Sequence, residues 1–407
     1  MVPDILGIPI TNIALSCCVV GATVLLRKFF FQSNTNGKFK LHGWDLSYFT
    51  GKARSYLIFK GVDFELVPMS FIDLQFIVPL KTGVKIMPVL ETPEGTWIQD
   101  TRDIIDAMDK RFPISTVYPE DPLLLFISNL LEAWGDEWFI PHAMHPRWNN
   151  DENIAFFKKE AGVQLFPWGP DFLRSMGADL VANILKKGFC PKVGIRPNQL
   201  DQLDCWTMAI MQDLNIHFAA TPYLLGNRPT IGDFGLVGSM YAHFFRDPFS
   251  RRTFVDPFPH VLDWINRMQS LNHSQIEELY PHPDLSLPPT LNPILIKVMA
   301  EFVPMIESIN SLMVTFHQDP KYRLHGRPVP RLMGEVTFPM GGKPFSRMGL
   351  PFPLWKMQGT MDVFHRMSEE DKTRTRIYLH QFGEGAERLL QLKLPRMQRC
   401  TVTVKFV

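Results

Sequence analysis

The sequence predicts an α+β domain of order β-α-β-α-β-β-α, then an all-helical region, then a mixed α/β C-terminal extension, with one N-terminal transmembrane helix ahead of them. Three observations predict it. Between Phe39 and Phe112, short apolar runs alternate with amphipathic segments bounded by turn residues. From Asp121 the apolar spacing becomes helical and stays so to near Pro289. The run from Ile5 to Leu26 carries no charge, and at about 1.5 Å per helical residue it reaches about 33 Å, enough for a hydrocarbon core of about 30 Å.

Composition narrows the function classes. A chain of 407 residues has room for about two or three domains with well-buried cores. With 20% charged residues and a net charge of +1 it lacks the basic excess that nucleic acid demands, so nucleic acid is excluded as a partner. Cys17, Cys18, Cys190, Cys205 and Cys400 form no C-x-x-C pair and no metal-ligand spacing, which points to a reducing compartment. The 34 prolines lie among aromatics and aliphatics and read as ordered connections rather than disorder.

Taken in order, residues 1–31 read as the membrane anchor. No A-x-A-like cleavage site follows the run, and Arg27-Lys28-Phe29-Phe30-Phe31 has the composition of an interfacial anchor. The charges Arg27, Lys28, Lys38 and Lys40 all follow the apolar run. The positive-inside bias then turns the large soluble part of a single-pass membrane protein toward the cytosol or mitochondrial matrix. Residues 32–38 are polar and Asn/Ser-rich, a linker.

Residues 39–119 form the α+β domain. A strand over Phe39–Trp44 ends at Asp45-Leu46, and a helix with Ala53, Tyr56, Leu57 and Lys60 on one face stops at Gly61. Ser47 therefore stands between strand and helix, where unpaired N–H groups and the positive helix end favour an anion, thiolate or carboxylate. Then follow a strand Phe64 to Val67, a short helix Ile72 to Lys81, a strand Val84 to Met87, a turn Thr92-Pro93-Glu94-Gly95, a strand Thr96 to Gln99 and a helix Thr101 to Arg111.

This order is that of thioredoxin-like domains. With Ser47-x-Phe49-x-x-Lys52-x-Arg54, an apolar residue before Pro88, and Asp100-Thr101 opening a helix, the segment resembles the glutathione transferase N-terminal domain. The resemblance implies glutathione as co-substrate and no metal. It makes Ser47 the residue that activates the glutathione sulfur, five residues before Lys52 as in the serine and cysteine classes. Tyr48 and Thr50 compete for that role, Tyr48 because several classes use a tyrosine near this turn, Thr50 because it lies closer to the helix start. It further implies that Met87, before a cis Pro88, pairs by its backbone with the cysteinyl part of glutathione, and that Asp100 and Thr101 hold the γ-glutamyl amine and carboxylate. Read from the residues alone, Asp100-Thr101-Arg102-Asp103 is a capping box, and the two readings are compatible.

Residues 120–288 are the helical region, similar to the transferase C-terminal domain. A helix spans Leu123 to Trp138, and prolines make Ile140 to Trp148 a loop. Glu132 and Asp136 share a helix face and two histidines follow, so a metal site competes with the reading that these carboxylates are hydrogen-bonded structural groups, which we prefer. Helical spacing recurs at Met176 to Lys187 and Leu200 to Phe218. Thr230 with Asp233 makes a capping box for a helix through Phe244, and Pro257 to Trp264 starts the next. The extension, residues 289–407, reads as a helix Leu291 to Thr315, a hairpin Gly334 to Arg347 turning at Gly341-Gly342, helices Leu354 to Met367 and Glu369 to Phe382, and a closing strand Cys400 to Val407. It resembles the tail of long bacterial glutathione-transferase-like proteins.

Two functional classes stay open. In one, Ser47 and the helix end stabilise a glutathione thiolate that attacks an electrophile. In the other, the domain is a non-catalytic subunit of a membrane complex, such as a mitochondrial respiratory assembly, with protein partners and with lipid contacted through residues 5–26.

Overall fold

The computed structural model describes residues 37–280 and 286–407, so the predicted span from Ile5 to Leu26 lies outside the described residues. Among those described, no helix is long and apolar enough to cross a membrane.

The first unit runs β1 (Phe39–His42), α1 (Tyr48–Phe59), β2 (Phe64–Val67), a π turn (Asp73–Ile77) leading into α2 (Val78–Thr82), β3 (Val89–Glu91), β4 (Trp97–Gln99) and α3 (Thr101–Arg111). The sheet order is β2-β1-β3-β4, with β1 parallel to β2 and the other pairs antiparallel. The alternation of buried and half-buried residues along β1 turns Phe39 and Leu41 into the core against α1 and α3.

The strand predicted at Val84 to Met87 is corrected. The strand begins instead at Val89, because β3 lies between β1 and β4 and must donate to both, and a proline has no N–H to give. The residues ahead of it form a loop that Gly83 opens at φ 78°, with Thr82 Oγ1 bonded to both Val84 N and Val84 O.

The helical region contains α4 (Pro122–Asn149), α5 (Asp151–Leu165), α6 (Asp171–Asn183), α7 (Leu200–Ala220), α8 (Ile231–Ser239), α9 (Pro248–Phe254), α10 (Pro259–Ser270) and α11 (His273–Leu279). The loop predicted over Ile140 to Trp148 is a second correction, since α4 continues through Pro141 and Pro146 to Asn149. One replacement and deep burial carry it. The Glu137 carbonyl, which Pro141 cannot serve, receives Arg347 Nη1 at 3.5 Å, and Arg147 and Trp148 beyond the prolines are buried. Tertiary packing here outweighs a local penalty of about 3 kcal/mol.

α4 is the axis of the molecule, and α8 crosses it at a point where both chains are bare. A Cβ on Gly135 would stand 2.6 Å from the Gly235 carbonyl carbon, and one on Gly235 would stand 2.6 Å from Glu132 Cα. Thr230 and Asp233 form the predicted capping box of α8. Asp233 also accepts from Leu224 N at 2.9 Å and Trp264 Nε1 at 3.1 Å, tying three segments to one buried carboxylate.

The extension contains α12 (Asn292–Lys297), a π turn (Val298–Phe302), α13 (Val303–Gln318), α14 (Pro320–Arg323), the hairpin β5 (Glu335–Met340) and β6 (Lys343–Met348), then α15 (Phe352–Arg366), α16 (Glu369–His380), α17 (Glu384–Gln391), β7 (Met397–Cys400) and β8 (Thr403–Phe406). Gly341 and Gly342 sit at φ 56° and 75°, the geometry of the type I′ turn. The single closing strand predicted at Cys400 to Val407 is instead the second half of a hairpin, turning at Thr401 with φ 56°. A turn carried by a β-branched residue gives no sequence signal. α15 packs along α4 and brings Lys356 into its buried face.

Candidate active site

Register assembles the site. His42 opposes Val89, and Val89 opposes Gln99. The segments that continue from these three residues, leading to Ser47, back to Met87-Pro88 and on to Asp100-Thr101, therefore leave the same end of one sheet.

Each segment is pinned. Ahead of Ser47, Trp44 Nε1 donates to Met69 O at 2.7 Å and Arg147 Nη1 donates to Leu46 O at 2.7 Å. Arg147 is held in turn by both oxygens of buried Asp247 at 2.8 Å. Asp45 accepts Tyr241 Oη at 2.9 Å and pairs with Arg246. Such fixed surroundings leave the α1 entry little freedom.

Ser47 caps α1, its Oγ accepting Thr50 N at 3.4 Å in extended geometry. Its side chain is half-buried, and among the described residues its hydroxyl proton meets no acceptor. Tyr48 is committed elsewhere: its hydroxyl donates to Gly135 O in the core, and burial, reinforced by Asp136, raises its pKa well above the usual tyrosine value. Thr50 is fully buried against Gly43, where a Cβ would stand 2.5 Å from its Oγ1. Of the three hydroxyls at this turn, only that of Ser47 faces outward.

Met87-Pro88 is a cis peptide bond, with Met87 half-buried and Pro88 buried. Asp100 caps α3 through Oδ1, which accepts Arg102 N at 2.9 Å, from a backbone with φ 85°. That conformation costs about 1 to 3 kcal/mol outside glycine and marks a position held by its surroundings. Thr101 follows, buried, at the helix start. Two helix N-termini thus lie at the same end of one sheet, a pair suited to a thiolate at α1 and a carboxylate at α3.

Glu132 and Asp136, weighed above as metal ligands, are taken by cations. Lys52 Nζ lies 2.7 Å from Glu132 Oε1 and 2.7 Å from Asp136 Oδ2. Lys356 Nζ adds contacts of 3.3 Å and 2.8 Å to the same two carboxylates, and Arg102 pairs with Glu132. Burial opposes ionisation of Glu132, yet Arg102, Lys356 and Lys52 together hold its carboxyl well below the usual range. At the next carboxylate the balance reverses: burial, with Asp136 beside it, outweighs Arg347, Lys356 and Lys52 and pushes Glu137 up to about 8. Among the described residues no group of three His, Cys, Asp or Glu side chains could hold a metal.

The sequence gives no sign of what covers Asp100. Arg399, from β7, reaches Asp100 Oδ2 at 3.0 Å, Gln99 Oε1 at 3.0 Å and the Gln99 carbonyl at 3.4 Å, and pairs with Asp103. Its guanidinium lies 5.9 Å from the Trp355 ring. About 300 residues of chain separate the partners, and no periodicity links them.

Residues 41–116 match the family model described as glutathione S-transferase, N-terminal domain. Solved structures similar to the chain include the beta-etherase LigF from Sphingobium sp. strain SYK-6, at 15% identity over 60% of this chain and 99% of that one, with a TM-score of 0.43. A Tau class glutathione S-transferase from mango, Mangifera indica, is 17% identical over 60% of this chain and 97% of its own, with a TM-score of 0.36. A GST-like protein from Pseudomonas syringae is 20% identical over 62% and 78%, with a TM-score of 0.37. No curated protein matches the chain.

Proposed function

We propose that this chain is a membrane-anchored, glutathione-transferase-like protein that binds glutathione and transfers its thiolate to an electrophile. The observation that carries the reading is the convergence of Ser47, Met87-Pro88 and Asp100-Thr101 at one end of the sheet, within the stretch that matches the transferase N-terminal domain model. Ser47 then donates its free hydroxyl proton to the glutathione sulfur, and the α1 N-terminus favours the anion; each unit of thiol pKa depression is worth about 1.36 kcal/mol. Met87 offers its backbone to the cysteinyl part, while Thr101 and the α3 N-terminus receive the γ-glutamyl carboxylate. Calorimetry on the full chain in detergent tests the reading. Heat that saturates at millimolar glutathione or below is expected, and its absence would remove the proposal.

The anchor rests on the uncharged run Ile5 to Leu26, with the soluble part in the cytosol or mitochondrial matrix by the charges that follow it. Retention in the membrane pellet after a carbonate wash is the expected result. A second reading, a non-catalytic subunit of a membrane complex, draws support from Arg399 standing on Asp100. A stoichiometric complex on native purification, with no thiol transfer, would favour it.

A further inference from the structure

Arg399 is delivered to its position by structure rather than by a loose tail. β7 and β8 pair from Met397 to Phe406, with Arg399 opposite Val404. Gln358 of α15 grips the start of the hairpin, donating to Met397 O at 3.1 Å and accepting from Met397 N at 2.8 Å. Trp355, one turn earlier on the same helix, stands beside the guanidinium. Against this Arg lie Asp100 and Asp103, on the first turn of α3. Asp100 has one oxygen on Arg102 N and the other on Arg399, so its carboxylate has a partner on each oxygen within the chain.

Resting on the reading of this corner as a glutathione site, we infer that Arg399 is a specificity-determining residue that stands in for the ligand's ammonium group. A γ-glutamyl amine arriving at Asp100 finds both carboxylate oxygens already occupied and a cation within contact distance, so it must displace the guanidinium or bind against it. The carboxylate end of the same ligand meets no such penalty. It faces the α3 N-terminus, Thr101 and a fixed positive charge. The site therefore prefers thiols that carry a carboxylate without the neighbouring amine.

Binding of two probes to the full chain in detergent separates the contributions. The probes are glutathione and N-glutaryl-cysteinylglycine, which is glutathione without its α-amino group. In the parent the deaminated thiol binds more tightly. Arg399→Ala tightens glutathione by about 10-fold or more relative to the deaminated probe, whereas Arg399→Lys, which keeps the charge, stays near the parent. Equal changes for both probes, or weaker glutathione binding in Arg399→Ala, overturn the inference while leaving the glutathione reading intact. If neither parent nor Arg399→Ala binds glutathione at millimolar concentration, both fall, because removing Arg399 has then failed to open the site.

Discussion

Lys52 Nζ meets Asp136 Oδ2 at 2.7 Å where neither side chain reaches solvent, and this contact joins the first domain to the helical axis. A buried pair contributes little net stability, but breaking it leaves a charge stranded at a cost of about 3 to 5 kcal/mol. Lys52→Met should lower the unfolding free energy by that amount in urea titration of the full chain. The double variant Lys52→Met, Asp136→Leu should cost less than Lys52→Met alone. A single-variant loss under about 1 kcal/mol would show that Lys356, with Arg102 on Glu132, suffices to hold both carboxylates.

Ser47→Ala should lower thiol-transfer turnover by about 10-fold to 150-fold while changing glutathione affinity far less, because the hydrogen bond it removes favours the anion and is worth about 1.5 to 3 kcal/mol. Thr50→Val should keep the parent rate, since that hydroxyl is turned inward. Full rate in Ser47→Ala, with loss in Tyr48→Phe, would reassign the role.

The bare crossing of α4 and α8 admits no side chain. Gly235→Ala places a methyl 2.6 Å from Glu132 Cα, a backbone contact that cannot swing aside. Overpacking of this kind costs about 1 to 3 kcal/mol, read as a lower thermal midpoint. Gly188→Ala, where a Cβ meets nothing within 4 Å, is the matched control.

Stability should depend on pH through two groups of opposite sign. Burial holds His217 down at about 4, so between that value and its unfolded value near 6.5 only the unfolded chain takes the proton. Stability from His217 is complete above about 6.5 and is lost as pH falls through the window. Glu137, pushed up to about 8, keeps its proton when folded and loses it when unfolded. Its contribution is complete below about 4.5 and is lost as pH rises toward 8. His217→Gln should flatten the acid limb of the stability profile and Glu137→Gln the alkaline limb, each measured against the parent by denaturant unfolding. Unchanged limbs would mean that these groups titrate alike in both states.

Legibility in the sequence followed the range of the interaction. Thr230 and Asp233 announce their helix because both partners lie within four residues, and Gly341-Gly342 announces its turn because few residues besides glycine tolerate two positive φ values in succession. Ser47 and Asp100 could be placed at helix starts for the same local reason. Pro141 and Pro146 misled, since the packing that keeps α4 intact comes from elsewhere in the chain. Lys356 and Arg399 were invisible as partners, being separated from Asp136 and Asp100 by most of the chain, while α17 passed unread between two turns.

Lys356 also decides how the molecule comes apart. The extension supplies one of the two lysines that neutralise Glu132 and Asp136 inside the body formed by the earlier residues. A chain cut near residue 288 keeps both carboxylates but loses half of their lysine charge together with the helix covering them. The regions are coupled through this cluster, and loss of the extension should destabilise the rest. The shared cluster should draw their transitions together, so that midpoints by tryptophan fluorescence and by helical circular dichroism lie closer in the parent than in Lys356→Met.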